Sequence, residues 1–262
     1  MRDVQTIKGF VAVIDVLGFR QMVARDDRLL AVRNYAATVV SLLNNTGNEE
    51  SLQFVLFSDS LVINTGDERP ESFENLIVAC SNLAYALAQD QSVAVRGAIA
   101  YGSFMRSPTV DQGVILAGAP IVEADHYQHQ QDWVGIMLAP SVVLREDLNL
   151  SARCDLGAKA MEDDADEWIK RNRLAVHLQH VPQIPFHQRS VLETNLYEGY
   201  AIVPMPKGQN SIRQLIDSLD LTCRQLRRMK AIAPEPTAQE KYSNTLRWVE
   251  GAVRSVWHSR VQ

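Results

Sequence analysis

Over its first 150 residues the chain reads strand, helix, strand, strand, helix, strand, helix, strand. The two adjacent strands break the strict alternation that a doubly wound parallel sheet requires. They leave the split βαβ logic of a ferredoxin-like α+β sheet as the expected fold class. The first strand is Gly9-Phe-Val-Ala-Val-Ile-Asp15, a nearly continuous apolar run that ends in a carboxylate. Met22, Val23, Leu29, Leu30, Val32, Tyr35, Val39, Leu42 and Leu43 then recur at helical spacing up to a breaker run at 44–47, with one break expected near Asp26 and Asp27. Runs 52–57 and 61–64 flank Ser58-Asp59-Ser60, which predicts a hairpin with Asp59 at its tip. A helix over 70–89 opened by Pro70, a strand over 92–101 and a loop or extended arm over 106–113 follow. A short strand at 114–117, a helix from Gly118 to about 130, a strand over 133–138 and a short helix over 140–145 complete this part.

Residues 1–150 are expected to form the main domain, with 151–262 an extension that packs on it, mostly helical and partly dimer-forming. The extension shows an acidic helix over 162–170, strand-like runs at 174–178 and 200–203, and a break at Pro204-Met-Pro206. Two closing helices carry capping-box patterns at Ser211 with Gln214 and at Thr237 with Glu240, the second followed by the stripe Tyr242, Leu246, Val249, Val253 and Val256. Apolar residues at 46% and charged residues at 22% exclude a mainly disordered, collagenous or coiled-coil chain. A net charge of -5 argues against a nucleic-acid coat, so no nucleic-acid partner is expected and an anionic ligand would need locally gathered positive charge. Cys80, Cys154 and Cys223 are isolated and odd in number, which fits a reducing cytoplasm. Apolar stretches such as 10–14 are too short to cross a bilayer, and no membrane contact or signal peptide is expected.

Chemistry is expected at Asp15 and Asp59, which the topology brings to neighbouring strand ends. Either aspartate alone fits a turn cap. Together they repel unless a cation lies between them, and magnesium or manganese suits carboxylate oxygens completed by water and phosphate. Two such ions can activate an attacking hydroxyl and neutralise a leaving pyrophosphate. Arg96 either pairs with an acidic neighbour or faces a triphosphate, with Arg106 and Arg20 as weaker candidates. His126, His129, His177, His180 and His187 lack the spacing of a zinc site, and Arg224, Arg227, Arg228 and Lys230 read as a solvated face or an interface. No phosphate-binding loop of the Gly-x-x-x-x-Gly-Lys type and no dinucleotide fingerprint is present.

Four strings in order, Val13-Ile-Asp-Val-Leu-Gly-Phe19, Leu56-Phe-Ser-Asp-Ser-Leu-Val62, Val95-Arg-Gly-Ala-Ile-Ala-Tyr-Gly102 and Gly118-Ala-Pro-Ile-Val-Glu-Ala124, resemble the motifs of the class III nucleotide cyclases over roughly residues 8–145. The resemblance implies a homodimer with active sites at its interface, in which two divalent cations, Mg2+ or Mn2+, drive attack of the ribose 3′-hydroxyl on the α-phosphate. It assigns Asp15, Val16 and Asp59 to the metals, Asp15, Asp59 and Arg96 to catalysis, and Phe19, Gln53, Val55 and Ser58 to the nucleoside triphosphate. Ser58 replaces a glycine of that family, and Val55 lies where purine cyclases place a lysine or glutamate. Val122 or Glu123 takes the place of an asparagine, and His126 or Tyr127 that of the transition-state arginine. The combination of Phe57-Ser-Asp-Ser60, Arg96-Gly-Ala-Ile99 and Gly118-x-Pro-Ile-Val-Glu-Ala124 is similar to the pyrimidine cyclases of Pycsar antiphage defence, which make cyclic CMP or cyclic UMP. It implies UTP ahead of CTP as substrate and a separate cyclic-nucleotide-responsive effector. The departures in the fourth motif leave a non-catalytic nucleotide-binding module open, and a purine cyclase reading its base by other contacts remains a further alternative.

Overall fold

A computed structural model describes residues 5–25, 29–45, 52–107, 115–154, 166–167, 169, 173–184, 197–206, 208–209, 211–233 and 235–261. Strand β1 (Gln5–Leu17) leads through α1 (Phe19–Arg25) and α2 (Leu30–Asn45) to a hairpin of β2 (Leu52–Phe57) and β3 (Ser60–Thr65). Then come α3 (Pro70–Gln91), β4 (Ala94–Arg106), β5 (Leu116–Gly118), α4 (Ala119–Gln130), β6 (Gly135–Leu138) and α5 (Pro140–Val143). The chain continues through α6 (Leu150–Arg153), α7 (Arg173–His177), β7 (Leu178–Ile184), β8 (Tyr197–Ile202), α8 (Ile212–Ile232) and α9 (Pro236–Val261).

One sheet runs in the order β2-β3-β1-β4-β6-β8-β7, with β5 paired to the far end of β4. β1 is antiparallel to both β3 and β4, so β3 and β4, joined through α3, run the same way with β1 between them. That is the split βαβ arrangement, and the α+β fold expected from the element order is the one found.

At β1 both faces of the sheet are covered, which is why that strand is apolar almost without interruption. Phe10, Ala12, Ile14 and Val16 point to the side packed by α2 and α3 through Tyr35, Val39, Phe73 and Leu76. Val11 and Val13 point to the other side, with Ala98, Ala100, Ala124 and Trp133. By alternation Asp15 and Arg96 belong to this second side, the side of α4. α8 and α9 pack Leu215, Leu219, Leu226 and Met229 with Leu246 and Val249 against Ala94, Val134, Val203 and Met205. Arg227 of α8 ties to Glu250 of α9 at 2.8 Å, so this part of the basic stretch joins two helices. No helix among the described residues is long and apolar enough to cross a membrane.

Three local expectations are corrected. β1 does not end at Asp15 but runs on to Leu17, and β4 continues to Arg106, because the two strands pair along their full length. Residues 174–178 are not a strand: a single helical turn ends at His177 and β7 begins at Leu178. Leu174, Val176 and Leu178 are all buried, so their period of two imitates a strand in a run too short to decide. α9 begins at Pro236 rather than behind a Thr237 cap, with the Gln239 amide donating to the Glu235 carbonyl at 3.0 Å. At α8 the cap is as expected, the Ser211 hydroxyl accepting from the Gln214 amide at 3.3 Å. The break near Asp26 falls between α1 and α2, but residues 26–28 themselves, most of the 106–113 arm, most of the 162–170 helix and His187 lie outside the described residues.

Candidate active site

Asp15 stands opposite Ser60 of β3 on one side and Arg96 of β4 on the other. One residue on, the Val16 amide donates to the Asp59 carbonyl at 3.0 Å, which fixes the tip of the hairpin against β1. The two aspartates are thus brought together by strand pairing, and their charges interact: Asp59 contributes to raising the pKa of Asp15.

Burial is the largest cause of that rise, and Arg96 opposes it. Nε and Nη2 of Arg96 both donate to Oδ2 of Asp15, at 3.2 and 3.1 Å. The pair is shielded, with 17% of the arginine side chain and 21% of the aspartate side chain exposed. Both readings of Arg96 therefore start from one geometry, an ion pair at the edge of the aspartate site. Gly97 makes the close strand contact possible, since a Cβ there would meet the Val13 carbonyl oxygen at 2.6 Å. Its own carbonyl accepts from the buried Gln131 side chain at 2.7 Å. On the other side of the sheet, Tyr35 of α2 has its hydroxyl held neutral by burial and by the charges of Asp59 and Asp15.

The residue set can be tested against a divalent cation. Val16 is buried on the opposite side of the sheet, so its main-chain carbonyl is all it could contribute. Two carboxylates and a carbonyl suit magnesium or manganese, which keep waters and take phosphate oxygens as further ligands. Among the described residues no group of three His, Cys, Asp or Glu side chains forms a cage. The donors suit a cation that keeps water and other oxygen ligands rather than one caged by side chains.

The predicted base-side residues share this side of the sheet. Gln53 pairs with Asn64, Val55 with Val62 and Phe57 with Ser60, and these β3 residues stand opposite Val11, Val13 and Asp15. Gln53 is exposed, Val55 half-buried and Phe57 79% exposed. Ser58 is exposed in the turn with φ +57°, a left-handed conformation that explains why a glycine would suit it. Ser58→Gly is expected to stabilise the protein by roughly 0.5–1 kcal/mol, the backbone relief exceeding the entropy cost of glycine, and to raise the melting temperature by about 2 °C. A fall in melting temperature in differential scanning calorimetry would show that the Ser58 hydroxyl is needed in the turn.

Other candidates lie elsewhere. The Phe19 ring is in the core, edge-on to Tyr35 at 6.1 Å, so it presents no ring to a ligand. On α4, Val122 is 71% exposed. Glu123 accepts from the Ser141 amide at the start of α5 at 3.1 Å, a structural task. His126 pairs with Gln130 at 2.9 Å, and Tyr127 stacks edge-on against His126. The α4 residue whose charge reaches Asp15 is instead His129. Arg106 donates to the Asn64 side chain at 3.3 Å, and Arg20 is exposed. Lys241 of α9 was not singled out by its sequence, yet its charge acts on Arg96, Asp132 and Asp15. The available signal was its position in line with Thr245 and Trp248 at helical spacing, a lysine on the inward side of a helix.

No protein-family model matches the chain, and no curated protein matches it in sequence. Solved structures do. The guanylyl cyclase domain of the RhoGC fusion protein from the aquatic fungus Blastocladiella emersonii is 12% identical with a TM-score of 0.49, over 77% of this chain and 97% of that one. The guanylate cyclase domain of RhGC from Catenaria anguillulae in complex with GTP is 10% identical with a TM-score of 0.47, over 76% and 98%. The adenylyl cyclase CyaB from P. aeruginosa is 12% identical with a TM-score of 0.47, over 80% and 99%.

Proposed function

We propose that the protein is a nucleotidyl cyclase that converts a pyrimidine nucleoside triphosphate, UTP ahead of CTP, to its 3′,5′-cyclic monophosphate and pyrophosphate. The observation that carries this reading is the meeting of Asp15 and Asp59 on paired strands, with Arg96 on the next strand bonded to Asp15. When bound, two divalent cations would lower the pKa of the attacking hydroxyl and neutralise the departing pyrophosphate. Asp15, Asp59 and the Val16 carbonyl would hold them. In the reaction the ribose O3′ bonds to the α-phosphorus, the bond from that phosphorus to the bridging oxygen of the β-phosphate breaks, and the hydroxyl proton leaves to solvent. Arg96 stands where a guanidinium can meet charge developing on the phosphates, and Asp15 orients it.

Val55 supports the pyrimidine assignment: an aliphatic side chain can pack on a base but offers it no hydrogen bond, so it cannot read a purine edge. The open β2–β3 surface with exposed Phe57 beside the aspartates supports a homodimer whose partner covers the base. The motif resemblance extends the proposal to a cytoplasmic second-messenger synthase in antiphage defence, its product read by a separate effector.

Incubation with manganese and each of the four ribonucleoside triphosphates, followed by chromatography of the products, tests the reading. UTP or CTP is expected to turn over at least about tenfold better than ATP or GTP, a difference of about 1.4 kcal/mol in transition-state binding. Preference for ATP or GTP refutes the pyrimidine assignment and leaves a purine cyclase. Binding without any cyclic product favours the non-catalytic module, a reading that the structural use of Glu123 on α4 keeps in play.

A further inference from the structure

Resting on the nucleotide reading of Asp15 and Asp59, we propose that Lys241 binds a phosphate of the nucleotide in cis, which makes helix α9 part of the active site as well as a packing element. The helix is fixed over the sheet one turn beyond this lysine. The Thr245 hydroxyl accepts from the Val134 amide at 2.8 Å and lies 3.0 Å from the carbonyls of both Val134 and Lys241. The Asn244 side chain donates to the Asp132 carbonyl at 2.8 Å. Val134 precedes Gly135, the β6 residue opposite Arg96, so these bonds set α9 against the start of β6, the strand that pairs with the one carrying the arginine.

Lys241 also lines a cavity of about 640 Å3 together with Leu17 and Gly18, the residues that take β1 past Asp15 and into α1. The volume is that of a small-molecule site. Lys241 is half-buried, and among the described residues no carboxylate forms an ion pair with it. Burial and the neighbouring Arg96 lower its proton affinity, while Asp132 and Asp15 oppose that effect. The ammonium has no paired counter-ion among the described residues, although the Asp90 and Glu235 carboxylates line the same cavity. A polyphosphate would supply one, and would turn the repulsion between Lys241 and Arg96 into joint binding of a single anion.

Calorimetric titration of the full chain with UTP, UMP and inorganic tripolyphosphate in the presence of manganese tests the assignment. Lys241→Met and Lys241→Gln are expected to weaken UTP and tripolyphosphate by about tenfold or more and UMP much less, so the UTP-to-UMP affinity ratio falls. Lys241→Arg is expected to stay within about threefold of wild type on the same scale. Either neutral variant, folded by its melting curve, that binds tripolyphosphate as wild type does overturns the proposal. So does equal weakening of UTP and UMP, which marks a general distortion. A wild-type protein that binds UTP but releases no pyrophosphate refutes the cyclase reading alone, because Lys241 is judged on the binding ratio. A wild-type protein that binds none of the three overturns both.

Discussion

Asp59→Ala is expected to abolish cyclisation with the fold intact, whereas Asp15→Ala is expected to abolish it and also lower the melting temperature. As proposed metal donors the two carboxylates are equivalent, but as parts of the protein they are not. The main chain of Asp59, not its side chain, holds the hairpin to β1 through the Val16 amide. Its charge raises the pKa of Asp15 by repulsion, so its removal relieves that repulsion. Asp15 is the partner of a mostly shielded guanidinium, and Asp15→Ala leaves Arg96 without the oxygen to which two of its nitrogens donate. Leaving such a donor unsatisfied costs roughly 1–3 kcal/mol, which for a chain of this size lowers the melting temperature by a few degrees. Turnover should fall by about 10³-fold or more in both variants, the scale of losing one preorganised charge-stabilising group. Product chromatography and scanning calorimetry on the same preparations read both quantities. Either variant keeping near-normal turnover would refute a two-cation site. Equal melting temperatures would show that Arg96 finds another partner when Asp15 is gone.

The aspartate pair was legible because it depends on short-range rules. A β-branched run ending in a carboxylate and a tight turn between two apolar runs are local signals, and strand pairing then leaves few ways to arrange them. The shared face of Gln53, Val55 and Phe57 followed from alternation alone, and the β2–β3 register bears it out. What was not legible depends on contacts between distant segments. Glu123 sits at a motif position, yet its carboxylate is taken by the Ser141 amide 18 residues later. Lys241 reads as one more charge on a C-terminal helix until the bonds of Thr245 and Asn244 fix that helix over Val134 and Asp132. The helical turn at Arg173–His177 failed for a different reason. Its alternating apolar residues satisfy a strand pattern and one turn of helix equally well, and the His177 ring is held by Ser81 of α3, Nδ1 to hydroxyl oxygen at 2.8 Å, a contact no local pattern announces.

Arg96→Met is expected to cost about 10²-fold in kcat/KM and to move its acid limb to higher pH, and the two effects separate the roles of the arginine. Asp15 has a pKa raised by burial, and Arg96 opposes the rise both by its charge and by its hydrogen bonds. Removing Arg96 therefore raises the folded-state pKa further. A group with a raised folded pKa gives stability that is full below its unfolded pKa and is lost as pH rises through the folded one. The variant should accordingly approach wild-type stability in acid and fall behind it as pH rises through the Asp15 transition. Binding a cation requires the carboxylate, so the acid limb of kcat/KM follows the same transition upward. Above that limb Asp15 is ionised in both proteins. If pairing with Asp15 were the only task of Arg96, the rate would recover there in full. The expected result is that a deficit of about 10²-fold persists, because the phosphates have lost a donor. Arg96→Lys should return the limb toward its wild-type position, since a positive charge again faces Asp15, yet recover only part of the rate, because an ammonium lacks the planar fork that can serve carboxylate and phosphate together. Full recovery of Arg96→Met at high pH would reduce Arg96 to a positioning residue for Asp15 and leave Lys241 as the cation that meets the phosphates.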